Sequence, residues 1–170
     1  MVLGKSRIFY LSNKMNNTFK YIKFKYIISM DVNKLMKALD DENNENLMNF
    51  TSKKIKEMNL KVLKELHLSR DETIELFKKL IGYRYVDEIQ DLKYGTYLRW
   101  IPLTNPNLIK LSRGAIFCEL KIEQTGLSLV CKNYGFNCKH FQIKLDECLV
   151  FQKLTDQEKV LLSALDHLSK

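Results

Sequence analysis

The sequence predicts an α+β fold: a helical part over residues 30–82, then a small five-stranded antiparallel barrel of the SH3-like or Tudor-like kind, and a closing C-terminal helix. Three observations predict it. Apolar residues recur with a helical period up to Gly82 and with a period of two beyond it. The second part breaks into short strands separated by turn residues. A Thr-x-x-Glu capping signature, Thr155 to Glu158, then restores the helical period.

Residues 1–29 stand apart in composition. They carry Lys5, Arg7, Lys14, Lys20, Lys23 and Lys25 and no acidic residue, a net +6. Lys, Asn, Phe, Ile and Tyr, all encoded by AT-rich codons, supply 18 of the 29. Two readings fit. In one, Met30 is the physiological start and 1–29 is an upstream extension that is not translated. In the other, 1–29 is a basic arm whose "YIKFKYII" alternates Ile22, Phe24, Tyr26 and Ile28 against Lys23 and Lys25, as a strand would.

From Asp31 the pattern is helical. Asp31 is a natural cap for a segment over 31–40 with Leu35, Met36 and Leu39 on one face. "DDENNEN" (40–46) is a polar break. Thr51 or Ser52 opens the next helix, with Ile55, Met58, Val62, Leu63 and Leu66 at helical spacing. Ser69 and Glu72 form a capping box for a third, striped by Ile74, Leu76 or Phe77, Leu80 and Ile81, with Gly82 as its stop.

Beyond Gly82, Tyr97–Ile101, Ile116–Ile122, Leu127–Cys131, Phe141–Leu145 and Leu149–Phe151 are the expected strands. Asn105-Pro106, Gly114, Thr125-Gly126 and Tyr134-Gly135 mark the turns between them. Five strands over about 90–152 have the size of a small curled barrel. The closing helix, 155–169, presents Val160, Leu161, Ala164, Leu165 and Leu168 on one face. The organisation is therefore 1–29, extension or arm; 30–82, helical; 83–170, barrel with its helix.

A chain of 170 residues that is 45% hydrophobic can bury a core. No apolar run approaches the roughly 18 residues of a membrane span, and Lys20, Lys23 and Lys25 interrupt any leader-like stretch. The expectation is a soluble, intracellular protein with no membrane partner. The net charge of +8 invites nucleic acid, but residues 30–170 hold 22 basic and 20 acidic side chains. Most of the excess lies in the first 29 residues.

The pairing of "GTYLRWIPL" with "LVFQKLTDQEKVLLSALDHLSK" resembles a group of small uncharacterised proteins of giant nucleocytoplasmic DNA viruses, mimivirus-like, over about 83–170. The Lys/Asn-rich composition is similar to theirs. The resemblance implies an origin, and with it host cytoplasm or virion as the location; it carries no activity.

Chemical motifs are sparse. Cys118, Cys131, Cys138, His140 and Cys148 cluster late, yet no Cys-x2-Cys pair offers zinc a knuckle. Cys138-x-His140 with Cys131 is the best fragment. The expectation is free, buried or half-buried thiols in a reducing compartment, with no metal and no cofactor. His67, His140 and His167 are scattered, the adjacent acids Asp87/Glu88 and Asp146/Glu147 would point to opposite faces of a strand, and the six glycines build no phosphate loop. The expectation is therefore not an enzyme.

What remains is an aromatic and basic band: Tyr83, Arg84, Tyr85, Tyr94, Tyr97, Arg99 and Trp100. Small barrels recognise ligands through such residues by stacking and cation–π contact. Tyr94, Tyr97 and Arg99 are the binding candidates, with Trp100 in the core and Arg99 a solvent-facing neighbour. Alternation puts Leu98 and Trp100 on one face and Tyr97, Arg99 and Ile101 on the other; both sets are mostly apolar, so core and recognition stay open for this strand. The functional expectation is a non-enzymatic interaction module of viral origin that binds protein or serves as a small virion or replication-factory component. The alternative is a nucleic-acid-binding barrel with a basic arm. Oligomeric state is open on the sequence.

Overall fold

A computed structural model describes residues 32–41, 44, 47, 50–124, 126–135 and 138–168. The arm and the Asp31 cap lie outside the described residues. Among the described residues four α-helices, α1 (Val32–Asp40), α2 (Ser52–Lys64), α3 (Arg70–Lys79) and α4 (Asp156–Leu168), flank six strands. These are β1 (Tyr83–Tyr85), β2 (Tyr97–Pro102), β3 (Ala115–Glu123), β4 (Gly126–Lys132), β5 (His140–Lys144) and β6 (Cys148–Lys153).

The starts of α2, α3 and α4 are those the sequence encodes. Thr51 accepts the Lys54 N–H at α2, Ser69 and Glu72 close a reciprocal capping box at α3, and Thr155 and Glu158 close another at α4. The stripe of α3 differs from expectation. Thr73, Leu76 and Leu80 are buried, whereas Ile74 and Ile81 are exposed. Thr73 is accommodated there because its hydroxyl bonds the Ser69 carbonyl at 2.9 Å.

The strands form one antiparallel sheet in the order β1-β6-β2-β3-β4-β5. Among the described residues six strands pair where five were expected, and their sheet is open, with β1 and β5 as its edges; the closed barrel is corrected to this arrangement. The sheet still curls strongly. β5 and β6 stand four places apart, about 19 Å in a flat sheet. The four peptide steps from Lys144 to Cys148 reach only about 15 Å. The rings of Trp100 on β2 and Phe141 on β5, three places apart, lie 5.8 Å centroid to centroid. The curl fails to close because β6 is taken on both sides, by β1 and β2, and has no edge left for β5.

The concave face fills itself with Leu98, Ala115, Phe117, Leu129, Cys131 and Val150. On the other face, α2 and α3 cover β2 and β6 through Leu63, Leu76, Leu80, Ile101, Leu111 and Phe151. A third cluster joins α1, α2 and α4 through Ala38, Leu47, Ile55, Leu154, Leu161 and Leu162. Leu161 is 1% exposed, so Leu161→Ala is expected to cost about 2–5 kcal/mol in a denaturant melt.

A buried polar seam pins the connection between β1 and β2 to the sheet. Gln152 on β6, fully buried, accepts from the Lys93 N–H (2.8 Å) and the Thr96 hydroxyl (3.1 Å) and donates to the Asp91 carbonyl (3.2 Å). Arg84 on β1 donates to the same carbonyl (2.7 Å) and pairs with the Asp91 carboxylate (3.3 Å). The Lys93 ammonium reaches the Glu158 carboxylate (2.8 Å) and the Asn44 amide oxygen (2.9 Å), while Asn44 donates to the Ala38 carbonyl (3.0 Å). Burying these groups is tolerable because they partner one another, with Arg84 Nε the one buried side-chain nitrogen or oxygen among the described residues left without a partner.

Candidate functional site

Tyr94, Tyr97 and Arg99 do not converge on one surface. Tyr94 stacks on Phe117 of the concave core, ring centroids 5.1 Å apart and planes 14° from parallel, and stays 69% exposed. Tyr97 and Arg99 belong to the helix-facing side, as alternation requires. There both hold backbone. The Tyr97 hydroxyl donates to the Arg113 carbonyl at 3.0 Å. Its ring lies so close to Gly114 that a Cβ there would sit 2.5 Å from the ring and 2.6 Å from the Leu98 carbonyl. With φ at +102°, that position requires glycine twice over.

Arg99 is half-buried. Its Nε donates to the Ser112 carbonyl and its Nη1 to the Lys79 carbonyl, each at 3.0 Å, with the guanidinium 5.9 Å from the Tyr83 ring centre. Lys79 ends α3, so the cation also meets the negative end of a helix. Arg99 ties β2, the 103–114 connection and α3 together. Arg99→Ala is therefore expected to cost about 1–3 kcal/mol by melt, as charged hydrogen bonds do, more than an exposed neighbour would. A cleft of about 250 Å³ opens beside it, lined by Leu68, Glu72, Leu76, Ile109 and Leu111 among others. Glu72 is held in the Ser69 capping box, which also draws its carboxyl below the usual range, and Glu75 pairs with Lys79, so of the charged groups lining the cleft Lys110 is the one without a partner among the described residues.

The late cysteines divide between environments. Cys131 is fully buried, and burial pushes its thiol up to about 12; burial likewise takes Cys148 to about 11. Thiols held neutral at physiological pH are poor nucleophiles. Cys138 is exposed and donates to the Gly135 carbonyl at 2.9 Å. Cys131 pairs with Phe141 on the concave face, whereas His140 pairs with Lys132 on the opposite face. Thiol and imidazole thus cannot share one metal. Among the described residues no three such ligands converge, and His67, His140 and His167 are exposed on separate elements.

The two sheet edges differ sharply. Hydrogen bonds at Gly82–Leu154 and Val86–Val150 bracket the β1–β6 ladder, so the peptide groups of Tyr83 and Tyr85 turn away from β6. Asn59 of α2 meets them there. Its Nδ2 donates to the Tyr83 carbonyl and its Oδ1 accepts the Tyr85 N–H, both at 2.8 Å, as a neighbouring strand would. The Tyr83 N–H goes to the Leu80 carbonyl. The β1 edge is stopped.

At β5 the bonds Asn133–Lys139 and Leu145–Leu127 bracket an unbroken register. Phe141 and Ile143 therefore bond β4, and His140, Gln142 and Lys144 present their peptide groups outward. The Lys144 carbonyl accepts the Cys148 thiol at 2.7 Å; no described group bonds the outward peptide groups of His140 and Gln142. On the concave side of this edge, Trp100, Leu120, Phe141, Ile143 and Leu145 form a half-buried apolar lip. Sequence patterning located β5 and these side chains but held no local signal for which edge would stay open.

No family model, curated protein or solved structure matches this chain. Among the described residues no helix is long and apolar enough to cross a membrane.

Proposed function

We propose that the chain is a non-enzymatic interaction module that binds protein. The observation that carries the reading is the apolar lip lying beside a sheet edge that has no partner strand among the described residues. Contiguous apolar side chains left half in water beside free backbone groups favour a polypeptide partner, which supplies both apolar surface and hydrogen bonds. The neutral thiols of Cys131 and Cys148 and the structural commitment of Arg99 support a binding role over covalent or charge-based catalysis. A role in a virion or replication factory rests on the sequence resemblance alone, and so does a viral origin. Likeness to SH3-like and Tudor-like barrels reaches only as far as the curled sheet with an aromatic lip.

Nucleic acid is the second reading. It draws on Lys121, Lys132 and Lys144 of the outer face of β3–β5, which also carries Glu119 and Glu123, and on the basic residues 1–29. One experiment separates the two. The tagged chain should retain a protein from cells after nuclease treatment, and Phe141→Ala or Ile143→Thr should lose that protein while retaining a cooperative melt. Loss of all retained material to nuclease, together with affinity for single-stranded or duplex nucleic acid that falls steeply with salt, would favour the second reading instead.

A further inference from the structure

We infer that the β1 edge binds one water molecule, which bridges Arg84 Nε and the Tyr85 carbonyl beneath α2. Three observations carry it. The first is a donor. Arg84 is 5% exposed, and its Nε has no hydrogen-bond partner among the described residues. The other two nitrogens of the guanidinium are committed to Asp91, Nη2 to the carbonyl at 2.7 Å and Nη1 to the carboxylate at 3.3 Å. An N–H of a charged group is among the costliest donors to leave unmet in a protein interior.

The second is an acceptor one residue on. Tyr83 and Tyr85 turn four peptide groups away from β6. Asn59 meets the Tyr83 carbonyl and the Tyr85 N–H, and the Leu80 carbonyl takes the Tyr83 N–H. The Tyr85 carbonyl is the fourth group, and no described group donates to it.

The third is a recess lined by both residues together with Phe50, Ile55 and Met58. It leaves about 10 Å³ for the centre of a water molecule, room for one. Phe50 and Met58 also wall an open cleft of about 260 Å³, which gives small solutes a way in.

Size, charge and polarity narrow the occupant to water. An anion would face Asp87, Glu88 and Asp91 along the cleft, with Lys54 the one cation there. A cation would meet the Arg84 guanidinium. An apolar guest would leave donor and acceptor both unmet, and a larger polar molecule exceeds the recess. Water accepts from Nε and donates to the carbonyl. It thereby finishes what Asn59 begins: every outward peptide group of Tyr83 and Tyr85 is then answered within the fold.

The test uses the full chain. A crystal structure at about 1.5 Å resolution is expected to show an isolated peak within about 3.2 Å of both Arg84 Nε and the Tyr85 oxygen. In solution, Arg84 Hε should cross-relax with water in the sense of a molecule held longer than about a nanosecond. Arg84→Lys keeps a cation for Asp91 but has no Nε. Water oxygen-17 relaxation dispersion should therefore count one fewer long-lived water in Arg84→Lys than in the wild type. If that variant does not fold, the two wild-type measurements decide alone.

A recess without density would overturn the inference. So would an Arg84 turned to set Nε on the Asp91 carboxylate, or a solute atom from the cleft at the bridging position. An equal count of long-lived waters in wild type and folded Arg84→Lys would overturn it too.

Discussion

Glu158→Ala is expected to destabilise the protein by about 3–5 kcal/mol, the cost of leaving one member of a buried ion pair alone. Glu158 is fully buried, with one oxygen 2.8 Å from the Lys93 ammonium and the other 2.7 Å from the Thr155 N–H. Alanine removes the counter-charge and half of the α4 capping box at once. The Lys93 side chain keeps 20% of its surface in contact with solvent, so part of its stranded charge can be hydrated. That places the loss toward the lower end of the range. Glu158→Gln should lose less, because an amide oxygen can still accept the Thr155 N–H. Urea melts of both variants, and of the double variant Lys93→Met/Glu158→Leu, check the account. The double variant should recover much of the loss, since an apolar pair of similar volume strands no charge. Equal losses in the single and double variants would show that the cap, and not the ion pair, sets the cost.

Asn59→Ala is expected to cost about 2–4 kcal/mol, since it strips hydrogen-bond partners from two backbone groups beneath α2. A second outcome follows from position. Without the amide, β1 presents an unpaired edge, and the variant should associate with rising concentration more strongly than the wild type. Sedimentation velocity over a concentration series measures it. Asn59→Asp is the sharper comparison: it keeps an acceptor for the Tyr85 N–H but sets a carboxylate oxygen against the Tyr83 carbonyl. It should be no more stable than alanine.

The change of period at Gly82, five of the strands and the capping boxes at Ser69 and Thr155 were legible because each is written in residues close together in the chain. β1 was not, since Tyr83-Arg84-Tyr85 is too short to show a period, and its two flanks are fixed by Asn59 and Gln152 from far away in sequence. Asn59 itself looks like a polar interruption of the α2 stripe until its acceptor and donor are seen against β1. Glu158 could be read as a cap, but its second oxygen answers Lys93, 65 residues earlier. Asn44 sits in what looks like a solvated break and is 3% exposed, because its amide bridges Lys93 to α1. Closure of the barrel was misjudged for the same reason: alternation specifies faces, and says nothing about which strand takes the last free edge. Of the candidate site, the aromatic residues were found, but their roles turned on carbonyls at Lys79, Ser112 and Arg113 that no pattern of side chains reveals.

The place of β6 has a consequence for how the protein comes into being. It is the last strand in the chain, yet it lies between β1 and β2 and is the strand that β1 pairs with. During vectorial synthesis, β2–β5 can form a local meander as each strand emerges, because each pairs with its predecessor. Tyr83–Tyr85 must wait until Cys148–Lys153 has been made. Until then α2 and α3 lack Phe151 to pack on, and the Arg84 guanidinium lacks the Gln152 amide that shares its Asp91 carbonyl. A chain stalled or nicked before Cys148 is thus left with an unjoined helical half and a curled meander exposing its β2 edge as well as β5, a form that quality control would engage and whose β2 edge the complete chain covers with β6.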